Sequence, residues 1–449
     1  MKRSLVKTVL FALTAVLLSA FAIQKKTEVW SFRPLEGVFV HPPQPDWSFK
    51  TFRTGEYQSQ LESYLKESFG FREPLIRLYN QYLWDFYRKT FVSIDQLVFG
   101  KDEWLYEPGA VGDYYQRQFF YFAEDSAKMA SMLTKEAQRL RLLQEVLETH
   151  GTHLLVCQVP SKDLIYPEYL PADQDTNYIG QPRISPRFFN EEEYTRLGVN
   201  HLNLEQYFLQ MKDTADFLLF PKTGMHWSRY ASLYAADTLI RYMEHLGEVN
   251  MKNFVIENRE LDDPRGADND LERLLNLQRP IRKPKYYYAD CITDDDTTSV
   301  KPKMIVIGDS FWWTIAVQLP LNDIFSIVPY WYYNSTIYYD SRYNSVSQVN
   351  LADELLTADF VVLAYCATQQ YRMNDGFTQQ ALEALGVECA AMDSTERYER
   401  EVQHVIGDIL ANPNAMKSIR EKAVLQNKTV EKTVRDDAAW IVNNKMNKK

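Results

Sequence analysis

Uninterrupted apolar runs recur through the middle of the chain. Three of them are HLLVCQV at 153–159, KMIVIG at 303–308 and ADFVVLAYC at 358–366, and shorter strand candidates occur at 200–204 and 323–331. Apolar strands without polar alternation are buried on both faces, which is typical of a parallel sheet with helices on each side. The pattern therefore predicts an α/β fold with a parallel sheet flanked by helices.

Other segments have apolar residues at helical spacing. This spacing predicts helices over 61–88 with a break at Gly70, over 126–150, and over 228–247. The segment QLVFGKDEWLYEP predicts two short strands around a turn instead. Charged residues at helical spacing over 390–449 predict a helical C-terminal extension.

The first 23 residues form a targeting segment. Lys2, Arg3 and Lys7 lie at the start of the chain, and the 16-residue apolar run TVLFALTAVLLSAFAI follows. This run is long for the core of a signal peptide and slightly short for a full membrane span. Cleavage near 20–22 would release the protein, whereas an uncleaved anchor, which we favour, would keep the basic N-terminus inside. In both cases the rest of the chain is exported to the periplasmic or extracellular side.

After the segment 1–23, the predicted organisation has a linker at 24–59, an α/β domain at 60–389 and the extension at 390–449. A net charge of −10 without a basic patch excludes nucleic-acid binding. Aromatic residues make up 14% of the chain. They favour flat apolar surfaces suited to sugars, although an aromatic-rich core explains the same content.

The four cysteines, Cys157, Cys291, Cys366 and Cys389, lack the spacing of a zinc site. We expect no required disulfide, because cysteine in an apolar run usually acts as a small buried side chain. The acidic segments DDPRGADNDLERLL and CITDDDTTS lack the ligand spacing of a calcium loop and are predicted to be solvated loops. No metal and no other cofactor is expected.

The stretch VIGDSFWW places Ser310 between a strand and a helix. One interpretation is structural, with Ser310 as the N-cap of the helix. The other is chemical, because ligand sites form beyond the carboxyl ends of parallel strands and a serine there can act as a nucleophile. Such a serine needs a base, and His226 in FPKTGMHWSRY is the best candidate among 7 histidines. His226 is equally consistent with packing at a helix start.

Taken together, GDSF after HWS resembles the SGNH-hydrolase-like proteins of alginate O-acetylation and their DHHW relatives. Four further segments occur in the order of that family: FGFREPLIRLYN, FGKDEWLYEP, VPSKDLIYPEYLP and NDLERLLNL. The resemblance runs from about residue 60 to 370. It implies an SGNH-like fold and an exported, often membrane-anchored enzyme that moves acetyl groups onto polysaccharide hydroxyls. A membrane-bound acyltransferase partner would supply the acetyl groups.

The resemblance also implies roles for individual residues. Ser310 matches the nucleophile and His226 the general base. We expect the oxyanion site to be shaped by Gly308, Asp309 and Phe311. The candidates for substrate contact are Trp227, Lys162 and Trp312, although for Lys162 an exposed loop position is the more ordinary expectation.

One position departs from the family pattern of Asp-x-His-Trp, because Gly224 stands where the orienting aspartate is expected. Loss of that carboxylate lowers the rate of a catalytic triad by about 10⁴. Asp309 is an unsuitable substitute, and Asp213 and Asp216 cannot be placed from sequence. We therefore expect Gly224→Asp to raise activity. Two alternatives stay open: an acetylesterase with the same chemistry, and a non-catalytic glycan-binding module.

Overall fold

The computed structural model describes residues 2–37, 42–88, 90, 97–115, 126–172, 186–293, 296–388, 398, 401–402, 405–406, 408–409, 412–426, 428 and 430–446. These residues form two compact units. Unit 1 contains residues 1–93 and 272–281, and unit 2 contains residues 94–271 and 282–449.

The helices in chain order are α1 Lys2–Thr27, α2 Phe49–Thr54, α3 Glu56–Ser68, α4 Arg72–Tyr87, α5 Pro108–Tyr114, α6 Ser126–Glu148, α7 Lys162–Ile165, α8 Pro186–Leu197, α9 Leu204–Lys212, α10 Arg229–Gly247, α11 Asp270–Leu274, α12 Trp312–Ala316, α13 Leu321–Ile324, α14 Leu351–Leu356, α15 Phe377–Ala384, α16 Pro413–Gln426 and α17 Val430–Met446. Short 3₁₀ helices occupy Lys101–Glu103, Pro167–Tyr169, Gly266–Asn269, Val346–Gln348 and Ala367–Gly376. The strands are β1 Val98–Phe99, β2 Leu105–Tyr106, β3 His153–Val159, β4 His201–Asn203, β5 Phe254–Asp262, β6 Tyr286–Thr293, β7 Met304–Gly308, β8 Tyr330–Tyr332, β9 Thr336–Tyr338 and β10 Phe360–Cys366.

Unit 2 is built on a six-stranded sheet with the strand order β4-β3-β10-β7-β8-β9. All neighbouring strands are parallel except β8 and β9. In the centre, Val362 of β10 pairs with Leu155 of β3 on one side and Val306 of β7 on the other. The predicted α/β fold is confirmed, and the three long apolar runs are its three central strands.

Both faces of this sheet are covered. Val306 and Val362 face a core that includes residues of α10, whereas the alternate positions Ile305 and Val361 face a second core built with α6 and α15. Side chains of successive strand residues point to opposite faces, so a strand between two cores must be apolar throughout. This explains why the runs show no polar alternation.

Two antiparallel strand pairs lie outside the six-stranded sheet. The β1–β2 hairpin, with its turn at Lys101–Glu103, matches the strand pair predicted from QLVFGKDEWLYEP. The β5–β6 strand pair was not predicted, because most of β5 is exposed and it carries the polar residues ENRE. The expectation of a solvated loop after Cys291 is wrong as far as Thr293, since these residues complete β6. Residues 294–295 of that segment lie outside the described residues.

Unit 1 is helical. The predicted break at Gly70 is present between α3 and α4, but the predicted linker at 24–59 contains the end of α1, all of α2 and the start of α3. Helix α2 begins there because the Ser48 side chain accepts a hydrogen bond from Thr51 N and caps it. By length and composition, Val6–Thr27 of α1 is apolar enough to cross a membrane, with a mean hydropathy of 2.2.

The described part of the C-terminal segment is helical, as predicted. Helices α16 and α17 share an apolar core that includes Met416, Ile419, Val434 and Ala438. Cys157, Cys291 and Cys366 are free thiols, and Cys389 lies outside the described residues.

Candidate active site

Ser310 lies in the turn that leaves β7, an interior strand of the sheet. Its hydroxyl is 2.8 Å from Nε2 of His226, as the chemical interpretation requires. The structural alternative is not supported, because the residue that precedes α12 is Phe311 and no side chain caps this helix. Ser310 is half-buried, so the residue is partly accessible to solvent.

His226 precedes α10, and both its backbone and its ring are held in place. Ser228 caps the helix by accepting from Ala231 N at 3.2 Å, which fixes the loop that carries His226. The ring nitrogen Nδ1 lies 2.7 Å from Oδ2 of Asp270. Because a carboxylate accepts at Nδ1, that nitrogen carries the proton and Nε2 is free to accept from Ser310. Ser310, His226 and Asp270 thus form one hydrogen-bonded line.

Asp270 is the residue that sequence reasoning missed. It opens α11, and its Oδ1 accepts hydrogen bonds from Met225 N at 2.8 Å and Leu271 N at 2.7 Å. The carboxylate is therefore fixed to the backbone on each side of the contact with His226. A signal was present, because Asp270 is the aspartate of NDLERLLNL, one of the segments that carried the family resemblance.

Gly224 explains why the carboxylate comes from another part of the chain. A Cβ at this position would lie 2.5 Å from Ala267 O and 2.6 Å from a side-chain carbon of Pro221. Without a side chain, the loop packs directly against the 3₁₀ segment Gly266–Asn269, which leads into Asp270. The glycine that replaces the expected aspartate thus makes room for the segment that supplies one.

The electrostatics of this line favour a protonated imidazole. Burial acts to lower the pKa of His226, but its hydrogen bond to Asp270 and the charge of that carboxylate raise it above the usual value. The nearby carboxylates Asp309 and Glu107 act in the same direction. An imidazolium formed by proton transfer from Ser310 is therefore stabilised in place.

Asp309 shapes the turn and does not contact His226. Its carboxylate accepts from Cys366 N at 2.6 Å and from Phe311 N at 3.1 Å, so it ties the end of β7 to the end of β10. Burial raises the pKa of Asp309 to about 6. Gly308 lets the end of β7 lie close to β10, because a Cβ there would lie 2.1 Å from Ala364 O.

The expectation of an oxyanion site at Phe311 needs one correction. The Phe311 N–H is already donated to Asp309, whereas the Ser310 N–H has no acceptor in the part of the chain that the structure describes. The Phe311 ring instead packs against His226, with the two ring centroids 4.8 Å apart.

The three residues expected to contact substrate are all buried, which gives them other roles. Lys162 donates to the carbonyl oxygens of Leu105, Lys222 and Gly224 at 2.7–3.0 Å and is not the exposed loop lysine that we expected. Trp227 is 1% exposed and donates to Thr314, and Trp312 is 3% exposed. Neither indole presents a face to a sugar.

An aromatic cluster around Trp313, which follows Ser310 by three positions in the chain, is more accessible than these residues. Trp313 is half-buried, and its ring centroid lies 4.6 Å from that of Tyr338 and 5.9 Å from that of Tyr339. The two tyrosines are 39% and 49% exposed. Trp313 stood in the stretch VIGDSFWW, but the sequence does not distinguish which of its adjacent tryptophans is buried.

Arg187 centres a second polar cluster, well buried within unit 2. Its guanidinium contacts Asp113, Asp163 at 3.1 Å and Glu205 at 3.3 Å, and the four side chains are 0–4% exposed. Glu205 also accepts from Ser161 N and Oγ, both at 3.2 Å. Burial raises the pKa of Asp113 to about 6 and that of Glu205 to about 7.

Residues 97–312 match the family described as "SGNH hydrolase-like domain, acetyltransferase AlgX". This segment contains Ser310, His226 and Asp270 and covers a little under half of the 449 residues. The family resemblance is confirmed. No curated protein matches the chain.

Several solved structures are similar to the chain at low sequence identity. The O-acetyltransferase domain of Pseudomonas putida AlgJ is 16% identical, with 61% of this chain and 92% of that chain covered and a TM-score of 0.40. Pseudomonas aeruginosa AlgX is 12% identical, with 66% and 68% covered and a TM-score of 0.40. Bacillus cereus PatB1 is 12% identical, with 54% and 91% covered and a TM-score of 0.34.

Proposed function

We propose that the chain is an exported O-acetyltransferase that moves acetyl groups onto the hydroxyls of a cell-surface or secreted polysaccharide. The observation that carries the proposal is the hydrogen-bonded line from Asp270 through His226 to Ser310. The family match supports it, because the matched family is described as an acetyltransferase.

In the first half of the cycle, Ser310 Oγ attacks the carbonyl carbon of the acetyl donor while its proton passes to His226 Nε2. Asp270 holds the Nδ1 proton and stabilises the imidazolium. The oxyanion of the tetrahedral intermediate accepts from the Ser310 N–H. When the bond to the leaving group breaks, His226 returns the proton to that group, and the acetyl-serine ester remains.

In the second half, a sugar hydroxyl replaces the leaving group. His226 takes the proton of this hydroxyl as its oxygen attacks the acetyl-serine carbonyl, and the proton then returns to Ser310 Oγ as the ester breaks. The rings of Trp313, Tyr338 and Tyr339 are suited to bind the acceptor glycan, because aromatic faces pack well against flat apolar surfaces.

The cellular setting follows from α1 and from the chemistry of the donor. A helix that is long and apolar enough to span a membrane supports a membrane-anchored or exported protein. Acetyl-CoA is not available outside the cytoplasm, so the acetyl donor must reach the site through another protein. We propose that this protein is a membrane-bound acyltransferase.

Trapping of the acyl-enzyme tests the proposal. The full chain and its Ser310→Ala variant are incubated with an activated acetyl ester, and the intact mass is measured at short times. We expect an added acetyl group on Ser310 in the wild type and none in the variant. Failure of every donor to acylate the folded wild type would overturn the proposal in favour of a glycan-binding module.

A second candidate function, acetyl ester hydrolysis, differs only in the acceptor. The half-buried position of Ser310 leaves room for either a sugar or water. When acetylated protein is mixed with oligosaccharide, transfer predicts acetylated sugar as the main product, whereas an esterase releases acetate at the same rate with or without sugar.

A further inference from the structure

Helix α4 in unit 1 exposes apolar side chains and buries polar ones, which is the opposite of the usual pattern for a surface helix. Its exposed face carries large apolar side chains that are 40–72% exposed: Leu75, Leu78, Tyr79, Tyr82 and Phe86. These positions follow the i, i+3, i+4, i+7, i+11 spacing of one helical face. Large exposed apolar patches mark surfaces that contact a protein or a membrane.

The opposite face of α4 is buried and, apart from Trp84, polar. Arg77 donates to the carbonyl oxygens of Arg33 and Pro34, both at 2.9 Å, and Asn80 donates to Leu275 O at 2.8 Å. Because Arg77 and Asn80 donate to backbone carbonyls inside unit 1, they hold α4 with its apolar face outward.

The start of α4 is fixed to the end of α1. A Cβ on Gly70 would lie 2.4 Å from Phe21 O, so the turn between α3 and α4 packs directly on the α1 backbone. The ring of Phe21 also lies 6.0 Å from the rings of Phe69 and Phe71. Gln24 closes the end of α1 by donating to Trp30 O at 2.6 Å.

The length of α1 determines the depth in a bilayer at which its contact with the α3–α4 turn would lie. Its 26 residues span about 39 Å at 1.5 Å per residue, more than the roughly 30 Å of a bilayer core. The last turn, with Lys25 and Lys26, therefore reaches the headgroup region when α1 crosses a membrane. The α3–α4 turn packs on this end of α1.

We propose that the exposed face of α4 lies in the interface of the bilayer that α1 crosses. The face then buries its apolar side chains among lipid headgroups and upper acyl chains, as interfacial amphipathic helices do. The occupant is lipid and not a second protein, because the turn from which α4 starts packs on the end of a candidate membrane span. Tyr79, Tyr82 and Phe86 also have the aromatic character of membrane-interface belts.

Other exposed aromatic side chains of unit 1 have the same character. Trp30, Trp47, Phe49 and Phe52 are 49–69% exposed. They are spread over α2 and the segments around it rather than gathered in one groove. A distributed set of aromatic anchors suits a lipid surface better than a single docked partner. The proposal does not depend on the chemistry of Ser310.

The test uses the wild-type full chain in vesicles of phosphatidylethanolamine and phosphatidylglycerol. A carbene-generating reagent dissolved in the bilayer labels groups in contact with lipid, and peptide masses locate the label. We expect label in α1 and in the α4 peptide, and none in α10, an amphipathic helix of unit 2. Label confined to α1 would overturn the proposal, and this is also the result expected if a protein partner covers α4.

A matched pair of variants tests whether the label comes from the face itself. Leu78→Ser, Tyr82→Ser and Phe86→Ser replace exposed side chains together, and circular dichroism checks that helix content is kept. We expect α4 labelling to fall roughly tenfold while α1 labelling stays constant. The control, Val424→Ser with Leu425→Ser, removes apolar side chains that are 82% and 86% exposed in α16 and is expected to leave α4 labelling unchanged. Equal α4 labelling in the triple variant and the wild type would overturn the proposal.

Discussion

The Ser310 line and the Arg187 cluster are both polar groups of unit 2 with strongly perturbed surroundings, yet they differ in one respect. The Arg187 cluster is closed, with side chains 0–4% exposed around one guanidinium. The Ser310 line ends in a half-buried serine. The N–H of this serine has no acceptor among the described residues. Raised carboxyl pKa values occur in both regions, so they do not identify a reactive site. The Ser310 line differs in having a partly accessible serine hydrogen-bonded to a histidine, and the proposed activity rests on this feature.

The first prediction separates the two regions by activity. Asp270→Asn keeps the shape of the side chain but removes the charge that orients His226 and stabilises its protonated form. We expect acetyl transfer from an activated ester to fall about 10⁴-fold with little change in the thermal midpoint. Initial rates and a melting curve measure both effects.

Asp268→Asn is the matched control. Asp268 is fully buried two positions away and accepts from Arg229 N and Tyr288 OH, but it does not contact His226. We expect this change to lower the midpoint and to retain most of the activity. Equal rate losses in the two variants would remove Asp270 from the proposed triad.

The second prediction concerns the closed cluster. Arg187→Met leaves three buried carboxyl groups without their cation, and the loss of one partner of a buried ion pair costs about 3–5 kcal/mol. We expect a large drop in the midpoint of thermal unfolding. The control is Arg241→Met, which breaks an exposed pair with Asp237 on α10 and is expected to change the midpoint little. A midpoint unaffected by Arg187→Met would show that the cluster does not stabilise unit 2.

The third prediction reverses an expectation drawn from sequence. Gly224→Asp was expected to raise activity by supplying a missing carboxylate, but Asp270 already contacts His226. The new Cβ would instead meet Ala267 O at 2.5 Å. Overpacking of this kind costs about 1–3 kcal/mol. We expect a lower thermal midpoint and no gain in initial rate, and a faster folded variant would contradict this placement of Asp270.

The fourth prediction tests the accessible aromatic cluster. Trp313→Ala removes a half-buried ring three positions after Ser310 in the chain, whereas Ser310 and His226 keep their partners. We expect the KM for an oligosaccharide acceptor to rise roughly tenfold, with little change in acylation by a small ester. An equal loss in both reactions would mean that Trp313 supports the turn and does not bind glycan.

The central sheet was predictable from the sequence because strands buried on both faces appear as uninterrupted apolar runs. Val306 and Val361 must be apolar whichever face they occupy, and no partner needs to be identified to see this. The β5–β6 strand pair shows no such run, because most of β5 is exposed and only some residues of the pair, such as Phe254, Ile256 and Tyr287, pack against the core.

The site was predictable only in part for a related reason. The pairing of Ser310 with His226 follows from motif order, but the orienting carboxylate depends on two distant segments meeting in space. Gly224 and Asp270 are 46 positions apart in sequence, and only the close packing at Ala267 shows that one replaces the other. The burial of Lys162 was missed because its partners are backbone carbonyls, which every residue possesses.

The last prediction uses pH to distinguish the Ser310 line from the Arg187 cluster with little change to the structure. The folded pKa values of Asp113 and Glu205, about 6 and about 7, are raised above their ordinary values. Their contribution to the free energy of unfolding is therefore complete below about pH 4, where the two carboxyl groups are protonated in both the folded and the unfolded protein. It is lost as pH rises through 7. The raised pKa of His226 acts with the same sign on stability. We expect the thermal midpoint to fall by a modest amount between pH 5 and pH 8.

Activity should change in the opposite direction over the same range. His226 must be neutral to accept the Ser310 proton, so the rate with an activated ester should rise with pH through a midpoint above 6.5. Glu205→Gln removes one titrating group from the closed cluster. We expect it to flatten the pH dependence of the thermal midpoint and to leave the rate midpoint where it is. A shift of the rate midpoint in Glu205→Gln would show that the two regions are coupled, and the distinction between an open site and a closed cluster would then fail.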